Sequence, residues 1–118
     1  MKMLGRKILL KTQDDDIVVD IDTIVYCIAD GNQCKIKLED DHEFMAQKPL
    51  KHMEYYLDDV SFFRINRGII INLAFIDNYD EDKGMHVMMT EGTAFPVAVR
   101  RRKDFLEYCK YCSSAVQS

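Results

Sequence analysis

The chain has no apolar run near the roughly 20 residues that a membrane-crossing helix needs. Its opening, MKMLGRKILL, is too short in apolar residues for a secretion signal and has no small-residue cleavage site. Both absences point to a cytoplasmic protein. Catalytic motifs are missing as well: there is no H-E-x-x-H, no G-x-S-x-G and no glycine-rich phosphate cradle. Histidine is sparse, and His42, His52 and His86 stand in unrelated segments without evident partners. Glycine is sparse too, with five in 118 residues, each at a plausible turn. The acidic pairs lack the spacing of a calcium loop. These absences argue against an enzyme, and no cofactor or metal is expected.

Cysteine is present but under-used. With nothing to indicate secretion, Cys27, Cys34, Cys109 and Cys112 are expected to be reduced thiols. Cys109 and Cys112 form a C-x-x-C, but no second pair has metal-ligand spacing. Residues three apart on a helix share a face, so core packing accounts for the pair. A zinc or redox protein remains the outlying alternative.

No linker, repeat or low-complexity tract divides the chain. Residues 1–118 read as a single domain, with its core at about 7–112. Lys7 to Thr12 reads as a first strand. Ile17, Val19 and Ile21 alternate with Val18, Asp20 and Asp22, the period of a half-buried strand. A single helical turn fits Asp20 to Thr23, and Ile24 to Ala29 follows as a β-branched run. Asp30-Gly31-Asn32 is a turn signal. Cys34, Ile36 and Leu38 then alternate with Lys35, Lys37 and Glu39, and His42 to Ala46 returns as a hairpin partner. Leu50, Met53 and Leu57 fall on one face of a short helix over Lys48 to Leu57, which Asp58-Asp59 should stop.

A turn is expected at Asn72 to Phe75. Two further strands should follow, at Phe75 to Asp80 and Met85 to Met89, joined by a turn at Glu81 to Gly84. Thr93 to Pro96 is a short last strand. A terminal helix is expected over Arg100 to Cys112, fraying from Ser113. The predicted class is mainly β with two short helices (α+β), its strands antiparallel.

The net charge of −4 argues at first against a nucleic-acid partner. Its distribution softens that. Residues 1–59 carry 8 basic and 13 acidic side chains, whereas residues 60–118 carry 8 basic and 7 acidic. Local field steers a ligand more than the total does. The stretch FFRINRGIIIN, Phe62 to Asn72, sets two arginines and an asparagine between apolar anchors. The isoleucine triplet suits a strand covered on both faces. The polar group reads as a clamped loop from Arg64 to Gly68, and Gly68 suits a sharp turn or close approach. Such a loop is either an exposed connection with solvated arginines or a reader of base edges and phosphates.

Two more polar clusters stand at element ends: Asn32-Gln33, and Arg100-Arg101-Arg102. Cations at a helix start oppose the backbone dipole, a cost that a phosphate would offset. Any one cluster fits a solvated face. Together they suit a binding rim, provided the fold aligns them.

In this order of features the chain resembles the LytTR DNA-binding domain family, the output module of many bacterial two-component response regulators. The resemblance runs from about Ile8 to Cys112. It rests on DIDTIVYCIADGNQCKIKLED, KPLKHMEYYL, FFRINRGIIINLAFID and AFPVAVRRRKDFLEY. Within these, F-x-R-x-x-R-x-x-x-x-N is followed by P-V-x-x-R-R before a helix.

The resemblance implies an elongated domain of antiparallel strands whose loops enter successive major grooves. Carried to matching positions, it assigns DNA contact to Asn32, Gln33, Asn66, Arg67 and Arg100, with Arg101 on a phosphate. Arg64 is a phosphate contact or a brace of the loop, and Arg102 is of the same kind. The family often has histidine at Asn66, an aromatic residue at Ile69, and serine-arginine at Ala98-Val99, so the base preference should differ.

The implied function is sequence-specific binding of double-stranded DNA to regulate transcription. Repeated half-sites, a homodimer on DNA, and an upstream receiver domain or sensor kinase are the implied partners. No membrane partner is expected. The rival reading is a protein-interaction module that uses an exposed sheet edge and binds no DNA.

Overall fold

The computed structural model describes the backbone of residues 2–4, 6–57, 61–82 and 84–117, and side chains over 6–57, 61–82 and 84–110. Asp58-Asp59 and the side chain of Cys112 therefore lie outside the described residues, as does Lys83 in the expected turn at Glu81 to Gly84. The strands are β1 (Lys2–Leu4), β2 (Lys7–Lys11), β3 (Asp16–Asp20), β4 (Ile24–Asp30), β5 (Gln33–Leu38), β6 (Glu43–Ala46), β7 (Phe62–Asn66), β8 (Ile69–Asn72), β9 (Ile76–Asp80), β10 (His86–Met89) and β11 (Ala94–Pro96). The helices are α1 (Leu50–Tyr56) and α2 (Arg102–Gln117). The class is mostly antiparallel β with two helices, as the sequence predicts.

A five-stranded sheet in the order β6-β5-β4-β8-β7 forms the middle layer. All its pairings are antiparallel. Because both faces are covered, β4 does not alternate: Ile24, Val25, Tyr26 and Cys27 are all buried. The isoleucine triplet behaves as expected, with Ile70 and Ile71 buried towards opposite layers.

On one face, Ile24, Cys27, Cys34, Ile36 and Ile70 pack with Ile8 and Leu10 of β2 and with Leu50, Met53 and Leu57 from the α1 segment. On the other, Val25, Phe63, Ile65 and Ile71 pack with Val87, Phe95 and Phe105 from the C-terminal sheet and α2. Each fully buried side chain of this size contributes about 1.5–3 kcal/mol, so two apolar cores hold the middle sheet between them.

Three sequence expectations change. β1 precedes the first predicted strand and pairs with β2 through Met3↔Ile8. Helix α2 runs on to Gln117, with no fraying from Ser113 in its backbone. The polar loop from Arg64 to Gly68 shrinks, because β7 continues through Asn66 and only Arg67-Gly68 turns. Gly68 is not in the left-handed region, and a β-carbon there would meet only ordinary contacts, 3.8 Å from Asn66 Oδ1 and 4.0 Å from Ala29 Cβ. Gly31, like Gly84 and Gly92, has the positive φ that its turn requires, 61°.

Candidate nucleic-acid interface

Antiparallel pairing decides which turns share an end of the middle sheet. β4 ends at Asp30, which pairs with Gln33, so the turn at Gly31-Asn32 caps that end. β8 starts beside it, with Ile28 opposite Ile69 and Ala29 N donating to Gly68 O at 2.8 Å. The Arg67-Gly68 turn therefore caps the same end. β11 arrives there too. Ala98 N donates to Ile65 O at 2.9 Å, and Asn66 Nδ2 donates to Pro96 O at 2.8 Å. The three polar clusters separated in sequence thus meet at one end of the molecule.

Their side chains fall into two groups. Asn32, Arg67 and Arg100 are exposed, and none of them has a side-chain partner among the described residues. Gln33 is half-buried at the start of β5. The others are tied into the protein. Arg64 pairs with Glu54 of α1 at 3.0 Å and also donates through Nη2 to Arg67 O. Arg101 donates from Nε to Arg64 O at 2.9 Å, and its guanidinium lies 4.7 Å from the centre of the Phe63 ring. That geometry suits cation–π attraction. Arg102 makes a long contact, Nε to Val97 O at 3.4 Å.

Asn66 is also used internally. Besides its bond to Pro96 O, its Oδ1 accepts from Gly68 N at 2.8 Å, closing the two-residue turn. The pairing register shifts between Arg64 and Asn66, a bulge at Ile65. Bulges re-aim side chains. Here Arg64, opposite Ile70, faces α1, while Asn66, opposite Ile69, faces β11.

Sequence reading missed Glu54 and Phe63 as supports of this end. Their partners lie on other elements, and no local pattern announces them. It did allow Arg64 a bracing role, and the bonds of Arg64 fit that option.

Cys27 and Cys34 are buried and free. Burial pushes the Cys27 thiol well above its usual range and Cys34 up to about 11. Among the described residues, no group of three or more His, Cys, Asp or Glu side chains could hold a metal ion. No helix among them is long and apolar enough to cross a membrane.

Comparison with known proteins gives a consistent result. The family described as "LytTr DNA-binding domain" matches residues 14–110. Among solved structures, the chain is similar to the LytTr DNA-binding domain of a putative methyl-accepting/DNA response regulator from Bacillus cereus. The two share 24% identity with a TM-score of 0.76, over 88% of this chain and 96% of that one. No curated protein sequence matches.

Proposed function

The chain belongs to the LytTr DNA-binding domain family, and from that premise we propose that it reads double-stranded DNA in the major groove through the three turns at one end of its middle sheet. DNA binding and a role in transcription regulation follow from the family. The finer assignment rests on one observation: the side chains of Asn32, Arg67 and Arg100 stand exposed and, among the described residues, without a partner, on turns that backbone bonds hold together. An exposed guanidinium is suited to the N7 and O6 edge of guanine, and an asparagine amide to adenine. Gln33 is a fourth polar contact beside Asn32.

Arg101 and Arg102 act at the phosphate backbone and fix register, while base edges supply sequence information. Arg101 reaches a phosphate with the guanidinium nitrogens left over from its bond to Arg64 O. Arg64 and Asn66 act one layer behind, because their hydrogen bonds are directed inward. For Asn66, a base contact requires exchange of the Pro96 bond. The protein carries out no catalysis in this reading.

A net charge of −4 leaves a single domain with little non-specific attraction. Two copies on repeated half-sites recover affinity through effective concentration. A receiver domain upstream in a two-component regulator is the natural source of that pairing.

Selection of bound sequences from a random duplex pool, followed by titration at two salt concentrations, tests this reading. Groove recognition predicts a preferred sequence and an affinity that falls steeply with salt. A module that adds partner strands to a sheet edge would give little DNA affinity at either salt, and that result would sink the proposal.

A further inference from the structure

The ion pair between Glu54 and Arg64 stands one bond from the Arg67 turn. Glu54 Oε1 accepts from Arg64 Nη1 at 3.0 Å, and Nη2 of the same guanidinium donates to Arg67 O. Glu54 is carried by α1, whose Leu50 and Met53 are anchored in the first core. A planar guanidinium fixed along one edge has its other edge aimed. From the opposite layer, Arg101 holds the carbonyl of Arg64 at 2.9 Å. A recess of about 180 Å³ opens beside the pair, lined in part by Glu54, Phe63, Arg64 and Arg101. Released from Glu54, the Arg64 side chain has space to leave the turn.

We propose that Glu54 is a positioning residue for duplex recognition: it fixes Arg64, which holds the carbonyl of Arg67 and so sets the direction of the Arg67 side chain. The proposal rests on the reading of Arg67 as a duplex contact. Charge alone gives the opposite expectation. A carboxylate this near the binding end repels phosphate, so its removal by itself would tighten binding. Glu54 is half-exposed, with 48% of its side chain accessible, so its replacement leaves the cores intact.

The experiment measures affinity of the full chain for a pool-selected duplex and for a mismatched one, at two salt concentrations. The variants are Glu54→Ala, Glu54→Gln, Arg67→Ala and the Glu54→Ala, Arg67→Ala double. Glu54→Ala is expected to weaken cognate binding about five- to tenfold while mismatched binding stays level or tightens slightly, as loss of a negative charge dictates. Glu54→Gln keeps an acceptor for Arg64 and retains most of the affinity. In the Arg67→Ala background, Glu54→Ala adds no further loss.

Tighter cognate binding by Glu54→Ala, an equal loss on both duplexes, or a full additional loss in the double variant overturns the proposal. If Arg67→Ala weakens cognate binding and Glu54→Ala does not, the positioning role fails alone. If Arg67→Ala binds as wild type, the assignment of Arg67 fails and the positioning role with it.

Discussion

At the far end of the middle sheet, polar side chains are consumed by the fold. Asp20 accepts from Asp22 N at 3.0 Å, and Asp40 accepts from His42 N at 3.0 Å. Asn72, 2% exposed, donates to Ile24 O at 2.9 Å and accepts from Ala74 N at 3.0 Å. At the near end, an inner layer of Arg64, Asn66 and Arg101 is consumed in the same way, but the side chains of Asn32, Arg67 and Arg100 project without partners among the described residues. Asparagine serves structure as Asn72 and stands outside it as Asn32, and arginine does the one as Arg64 and Arg101 and the other as Arg67 and Arg100. Composition does not separate these uses. Whether each donor and acceptor has an internal partner does.

The largest effect should come from breaking the far end. Asn72→Ala leaves the buried Ile24 carbonyl and the part-buried Ala74 N–H without their side-chain partner and should cost roughly 2–4 kcal/mol of stability in urea unfolding. The affinity of the folded fraction for DNA should not change. Arg100→Ala should do the reverse. Binding to the preferred duplex should weaken by roughly 1–3 kcal/mol, with specificity relaxed at one base pair and an unchanged unfolding midpoint.

Arg64→Ala lies between these cases, because its bonds hold the turn that presents Arg67. It should cost about 1–2 kcal/mol in unfolding and weaken binding as well, so both assays should move. Asp20→Ala, which removes the cap of the single 3-10 turn before β4, should cost about 0.5–1 kcal/mol of stability and leave DNA titrations untouched. An Asp20 variant that altered specificity would erase the distinction between the two ends.

Much of this was legible in the sequence because it is local. Alternation announced β5, the Gly31 turn announced the β4–β5 hairpin, and Ile69 to Ile71 announced a strand covered on both faces. The Leu50, Met53 and Leu57 spacing announced α1. The resemblance on Asp20 to Asp40, on Phe62 to Asn72 and on Pro96 to Arg101 brought the three polar clusters into one family pattern.

What stayed hidden is long-range. Arg64 meets Glu54 because α1 packs beside β7, and Arg101 meets Arg64 O across 37 positions of sequence. The bulge at Ile65, which turns Arg64 and Asn66 towards different layers, depends on pairing with β8. No periodicity within a strand encodes such a shift. The narrowing of the polar loop to Arg67-Gly68 has the same origin, since ladder bonds extend β7 through Asn66.

The most direct measurement is an NMR titration of the backbone amides with a duplex selected from a random pool. Simultaneous shifts are expected at residues 31–33, 66–68 and 98–102, with residues 20–23, 39–42 and 72–75 unmoved. Shifts confined to the far end, or to outer strands such as β3, with Asn32, Arg67 and Arg100 unaffected, would contradict the account.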